Sequence, residues 1–178
     1  MNNTIPPAVI AAAKKVKLLL LDVDGVLTDG RLYYGNSGEE MKAFNIQDGL
    51  GIKLLQKGGV QVGIITGRIS KLLQRRADEL GIGPLIQGRE DKLIALNELL
   101  QNMHIDMDEI AFMGDDLPDL AVMRRVGLGI TPANGSSTNA EQADWQTNNA
   151  GGQGAVREVA EMILDAQGKL QTILADYQ

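Results

Sequence analysis

Apolar positions along this chain follow two rhythms. Unbroken runs at residues 16–21, 60–65 and 110–113 are too short for helices and apolar on both sides, which predicts strands buried on both faces. Shorter runs at 85–86, 128–130 and 145–147 predict further strands. Between them apolar residues recur at helical spacing. Residues 50–57 predict a short helix, and 70–80 another, with Ser70 placed to cap it and Gly81 just past its end. Residues 92–102 carry Leu93, Leu96, Leu99 and Leu100 close to one stripe, 117–125 stops before Gly127, and 155–166 sets Val156, Val159, Ile163 and Ala166 on one side. Strands alternating with helices predict an α/β fold: a Rossmann-like parallel sheet flanked by helices, with right-handed crossovers.

One segment breaks the alternation. Leu32, Tyr33 and Tyr34 on one side and Met41, Lys42, Ala43 and Phe44 on the other flank Gly35, Asn36, Ser37 and Gly38, which predicts a small β-hairpin flap over about residues 31–44. It follows directly on the first long strand, so it should project over that strand's carboxyl end. Polar stretches at 131–138 and 148–154 read as loops, the second glycine-rich and flexible. At 178 residues the chain reads as a single domain, 1–178, ending in a helix and tail over about 155–178.

Composition narrows the chemistry. The formal net charge is −6 with scattered Lys and Arg, and one Trp, three Tyr and two Phe leave little for base stacking, so neither nucleic acid nor an anionic membrane surface is expected as a partner. Without cysteine there are no disulfides or thiolate metal sites. The amino-terminal stretch lacks the charged region and long apolar run of a signal peptide, and no run approaches the ~20 apolar residues of a membrane span, so a cytoplasmic location is expected.

Three polar signatures then stand out, each just past a predicted strand, where open α/β sheets bind ligands. Asp22, Asp24 and Asp29 follow the first strand; Thr66, Gly67 and Arg68 follow the second; Gly114, Asp115 and Asp116 follow the third, with Asp119 one turn later. Lys92 opens a helix and can lean toward the same rim. Carboxylates from two strands, with no cysteine and the lone His104 expected at the surface, suit a hard cation, Mg²⁺, which commonly shares its coordination sphere with a substrate phosphate. Thr66, a glycine amide and Lys92 offer donors to phosphate oxygens. An aspartate can itself attack phosphorus, and a second one two residues on can carry the proton. Asp29 reads as a hairpin residue. Arg75 and Arg76 read as solvated helix surface.

The set D-V-D-G-V-L-T-D at 22–29, T-G-R at 66–68, Lys92 and G-D-D-x-x-D at 114–119 resembles the haloacid dehalogenase superfamily of phosphotransferases. Within it, K-A-F-N-I-Q-D-G-L-G-I-K at 42–53, G-G-Q-G-A-V-R-E at 151–158 and A-Q-G-K at 166–169 resemble the subfamily that hydrolyses 3-deoxy-D-manno-octulosonate 8-phosphate in lipopolysaccharide synthesis. The resemblance implies a haloacid dehalogenase-type sheet without a cap domain. It implies Asp22 as nucleophile and Asp24 as general acid and base. It also implies a Mg²⁺ held by Asp22, the Asp24 main chain and Asp115, with Asp116 and Asp119 ordering its surroundings. Thr66, Gly67 and Lys92 would bind the phosphoryl group, and Asp24, Asn45, Ile46, Gln47, Asp48, Gly49, Lys53, Arg68, Arg76 and Lys92 would meet the substrate, a small sugar-acid phosphate. Arg76 then reads as a partner for the sugar-acid carboxylate. A homotetramer with sites at subunit interfaces is implied too, and it suits a chain with no room for a lid. Gln47 stands where the subfamily usually has Arg, Lys53 where it often has Arg, and Gln153 where it often has a basic residue. Two alternatives follow: a phosphatase for a related nonulosonate 9-phosphate, and a non-catalytic oligomerisation module that the intact acidic set argues against. A protein phosphatase, reached through the lidless site, is disfavoured by the hairpin and the expected oligomer.

Overall fold

Four leucines, Leu18–Leu21, form the central strand β1, and each is fully buried. The computed structural model describes residues 5–36 and 40–177. Strands Gln61–Ile65 (β4), Leu85–Ile86 (β5), Ile110–Met113 (β6), Leu128–Thr131 (β7) and Trp145–Gln146 (β8) join β1 in one sheet of order β5-β4-β1-β6-β7-β8, every pairing parallel. Alternate β1 residues feed different cores, as the unbroken apolar run requires. Leu19 and Leu21 join Val62, Ile64, Ala111 and Met113 beneath helices Pro7–Ala13 (α1), Ile46–Lys57 (α2), Lys71–Leu80 (α3) and Ala155–Ala166 (α7). Leu18 and Leu20 join Ile65 and Phe112 beneath Lys92–Leu100 (α4) and the short Leu120–Met123 (α5). The layered α/β architecture is the one the periodicity predicts.

The differences are local and have causes. Helix α2 starts at Ile46, not residue 50: Asn45 is its cap, accepting from the Gln47 N–H at 2.7 Å. Gly49 and Gly51 lower helix propensity there, and packing against α7 overrides them. The stretch 117–125 splits into a 3₁₀ turn, Leu117–Asp119, and α5, because Asp116 caps the first turn and Pro118 follows. Three helices escape the pattern: α1, with Pro7 at its first position and Val9 and Ala13 buried, Ser137–Gln142 (α6) and Leu170–Ala175 (α8). The region 131–138 is thus partly strand end and partly helix rather than loop.

The hairpin is present as Tyr33–Tyr34 (β2) antiparallel to Glu40–Met41 (β3). Ser37 and Gly38 of its turn lie outside the described residues. The glycine-rich segment, expected to be flexible, is instead held firmly. The Glu158 carboxylate accepts from the N–H groups of Asn148 and Asn149, Gly152 donates to Val26 O at 2.9 Å, and a Cβ at Gly151 would lie 1.7 Å from Gly25 O. Backbone there meets backbone, so only glycine fits at 151.

Leu20→Ala should cost about 2–5 kcal/mol, the range for emptying a fully buried leucine site. Urea unfolding followed by circular dichroism measures it.

Candidate active site

The sheet order reverses direction about β1, and the site forms outside the carboxyl ends of β1 and its neighbour β6. Asp22 donates its N–H to Met113 O at 3.0 Å, so it is still tied to β6 as the chain leaves the sheet. The N–H groups of Val26, Leu27 and Thr28 then all reach Val23 O, closing a tight turn. Gly25 has φ +93°, and a Cβ there would lie 2.1 Å from Asp115 Oδ2, so the turn can lie against that carboxylate only as glycine.

Lys92, at the start of α4, puts its buried ammonium between two carboxylates, 2.9 Å from Asp22 Oδ1 and 2.5 Å from Asp119 Oδ1. The other Asp119 oxygen accepts from the N–H groups of Asp115 and Asp116, at 3.0 and 3.3 Å. Asp119 therefore shapes the loop and orients Lys92, while Asp116 caps the 3₁₀ turn. Carboxylate oxygens of Asp22, Asp115 and Asp119 lie within 4.8 Å of one another.

Three acids around one ammonium leave excess negative charge in a dry place. Burial, then Asp119, pushes Asp22 up to about 6 against the opposing pull of Lys92. Burial, then Asp22 and Asp119, pushes Asp115 up to about 7. Burial alone would lower Lys92, but Asp22 and Asp119 outweigh it and hold the ammonium above its ordinary value. With both Asp119 oxygens engaged, Asp22 and Asp115 are the carboxylates with oxygen left to offer. An all-oxygen set with uncompensated charge fits a hard divalent cation such as Mg²⁺.

The remaining predicted residues separate into groups. Thr66 is buried at the end of β4, its N–H bonded to Ile86 O and its carbonyl to the Arg89 N–H; Gly67 follows it. Asp24 turns its carboxylate away from the acidic cluster, toward Lys42 at 2.5 Å and Arg68 at 3.5 Å. Arg76 donates to Asn45 O at 3.4 Å, lies 6.0 Å from the Phe44 ring and lines a cleft of about 290 Å³ with Lys42, Ile46 and Leu72. It is half-buried, not the solvated surface its helical position suggests. Arg75 lines the same cleft but is exposed and paired with Glu79. Ile46 and Gln47 are exposed on the first turn of α2, and Gly49 packs against the Arg76 guanidinium.

Two expected substrate contacts are otherwise engaged. Asp48 is only 1% exposed, and its oxygens accept from the N–H groups of Gly154 (3.3 Å) and Arg157 (2.9 Å). It caps α7, whose own N-cap, Gly154, has no side chain to offer, and no face of its carboxylate is left for a ligand. Lys53 donates to Glu79 O near the end of α3 and does not line the cleft. Asp29 acts in the hairpin, accepting from the Arg31 N–H at 3.0 Å and the Tyr33 hydroxyl at 3.1 Å. His104 is exposed. Sequence reasoning gave Lys42 no role of its own, because nothing local distinguishes a lysine just past a hairpin strand from any surface lysine.

A parallel sheet carrying this acid–lysine cluster at its switch point defines a haloacid dehalogenase-like hydrolase, and the family model of that description matches residues 85–159. The chain is 50% identical over 162 residues to the 3-deoxy-D-manno-octulosonate 8-phosphate phosphatase KdsC of Escherichia coli K12, covering 91% of this chain and 86% of that protein. The enzyme of the same name from Salmonella typhimurium is 48% identical over 93% of this chain and 88% of its own. The crystal structure of the 3-deoxy-D-manno-octulosonate 8-phosphate phosphatase of Moraxella catarrhalis, in complex with magnesium ion, phosphate ion and KDO, superposes with a TM-score of 0.93 at 46% identity, covering 96% of this chain and 98% of that one. The chain belongs to the 3-deoxy-D-manno-octulosonate 8-phosphate phosphatase family.

The raised Asp22 and Asp115 values fix a pH dependence. Each binds its proton more tightly folded than unfolded, so its contribution to stability is full below the ordinary carboxylate range and is lost as pH rises through about 6 to 7. Metal-free protein should therefore melt lower at about pH 8 than at about pH 5.5, and Mg²⁺ should raise the melting temperature more at the higher pH; melts with and without chelator read both effects. Asp48→Ala should cost about 1–3 kcal/mol by leaving two N–H groups unpaired, with KM unchanged in the folded fraction. A substrate contact would instead shift KM at constant stability.

Proposed function

We propose that this chain hydrolyses 3-deoxy-D-manno-octulosonate 8-phosphate to 3-deoxy-D-manno-octulosonate and phosphate, by way of an aspartyl-phosphate on Asp22, in lipopolysaccharide precursor synthesis. The observation that carries the reading is the pairing of Asp22 with Lys92 at 2.9 Å, while Asp24, two residues on, keeps its carboxylate outside the cluster. This separation supports the reading of Asp22 as nucleophile and Asp24 as proton carrier.

Mg²⁺, held by the Asp22 and Asp115 carboxylates and the Asp24 main-chain oxygen, supplies the positive charge that lets one anion approach another. Lys92 and Thr66 hold the phosphoryl oxygens while Asp22 attacks phosphorus, and the phosphorus–oxygen bond to the sugar breaks. Asp24 gives its proton to the leaving sugar oxygen. It then takes a proton from the water that cleaves the aspartyl-phosphate, which restores both carboxyl groups. Arg76, lining the cleft beside Phe44, meets the sugar-acid carboxylate with a planar fork of donors. Asn45, Ile46, Gln47, Gly49 and Arg68 complete the sugar-facing side.

The assembly belongs to the same reading. Tyr34 and Met41 on the hairpin are 66% and 65% exposed, and Ile46 and Ile69 are 81% and 77% exposed. Pairing of hairpins in a homotetramer would cover them and close the lidless site with a neighbouring subunit. A cytoplasmic location goes with this role.

Asp22→Asn should abolish turnover while leaving the melting curve cooperative, and Asp24→Ala should lower kcat by ~10²-fold or more. Phosphate release with Mg²⁺ across a panel of sugar-acid phosphates tests the substrate, and equal rates on unrelated phosphomonoesters would overturn it. Sedimentation at assay concentration tests the tetramer, and a monomer would remove it.

A further inference from the structure

Asp24 lies on a turn outside the sheet, and its carboxylate has no backbone partner of its own among the described residues. Two cations fix it instead, one at each oxygen. Lys42 Nζ lies 2.5 Å from Oδ1, and Arg68 Nε lies 3.5 Å from Oδ2. The Lys42 side chain is 3% exposed, so its contact is shielded from water, whereas the Asp24 side chain is 20% exposed. Both restraints lead back to the hairpin. Lys42 directly follows β3, and Arg68 donates to the Tyr34 hydroxyl of β2 at 3.2 Å.

We propose that Lys42 is a positioning residue, acting through Asp24: the hairpin sets the direction of the carboxyl group that carries protons to the leaving oxygen and from water. The inference rests on the acid–base assignment of Asp24 above. A carboxyl group free to turn about its side-chain bonds spends most of its time out of line with the reacting oxygen, and a misplacement of about 1 Å can cost ~10²-fold in rate. Lys42 removes that freedom at Oδ1 and leaves the other oxygen, held at longer range, to exchange the proton. The ammonium itself neither gives nor takes the proton in this scheme.

A residue that acts through the proton carrier matters most when the leaving group needs the proton. Lys42→Met should lower kcat/KM by ~10- to 100-fold on 3-deoxy-D-manno-octulosonate 8-phosphate and on glycerol 3-phosphate. With p-nitrophenyl phosphate, whose leaving group departs as the anion, the loss should be several-fold smaller. In an Asp24→Ala background the same substitution should change kcat/KM by less than about 2-fold, since the group it positions is gone. Lys42→Arg should restore part of the alkyl-phosphate activity. Equal losses on alkyl and aryl phosphates, or additive losses in the double variant, would overturn the proposal and make Lys42 a direct substrate contact or a structural residue. If Lys42→Met lacks a cooperative melt, Lys42→Gln is put through the same comparison. The substrate assignment is read separately, from the wild-type preference for the sugar-acid phosphate over glycerol 3-phosphate.

Discussion

The site depends on one buried ammonium. Lys92 stands between Asp22 and Asp119, and each of the three would be costly to bury alone. Asp119 uses its remaining oxygen to hold the backbone of Asp115 and Asp116, so the arrangement passes from α4 through Lys92 into the loop after β6. Asp22 is thereby fixed at the end of a strand whose four residues are all fully buried. Charge balance is left incomplete: Asp115 has no cation of its own at close range among the described contacts, and the raised values of Asp22 and Asp115 register that deficit. A divalent cation and a phosphate entering together change the local charge far less than either would alone.

Around this centre the molecule divides its labour by rigidity. Asp22, Thr66 and Lys92, the residues proposed to attack and hold the phosphoryl group, sit on strand ends and a helix start, where backbone hydrogen bonds and two apolar cores fix them. Asp24, the proposed proton carrier, sits on a turn and is held by Lys42 and Arg68, both tied to the hairpin. Sugar recognition is assigned to the first turn of α2 and to α3. This gradient matches the demands of the chemistry: in-line attack tolerates little displacement, while recognition of a flexible sugar acid tolerates more.

Much of this was legible in the sequence because it is local. The run at β1, the acids after β1 and β6, and Thr66 after β4 each lie within a few residues of the strand that presents them. What escaped was set by distant partners. Asp48 looks like part of a ligand loop, yet its bonding partner Arg157 is 109 residues away, and only the folded chain shows that it caps α7. Residues 151–154 look mobile because three glycines in four residues usually make a flexible tract, but here glycine permits the backbone of one loop to lie on another. The start of α2 was missed because two glycines argue against a helix that tertiary packing nevertheless stabilises. Lys42 could not be singled out because its partner lies 18 residues back, across a turn.

The contact between Gly151 and Gly25 has a consequence for the order in which the molecule matures. The acidic turn is synthesised well before the segment that lies against it, which emerges more than a hundred residues later. That segment is held by Glu158 and by the Asp48 cap, both of which require α7 to be docked. The turn carrying Asp22 and Asp24 can reach its final shape only once α7 is in place. Competence for catalysis is therefore a property of the completed domain: a nascent or nicked chain with an intact sheet and every catalytic side chain would still lack the cover that holds its site in register.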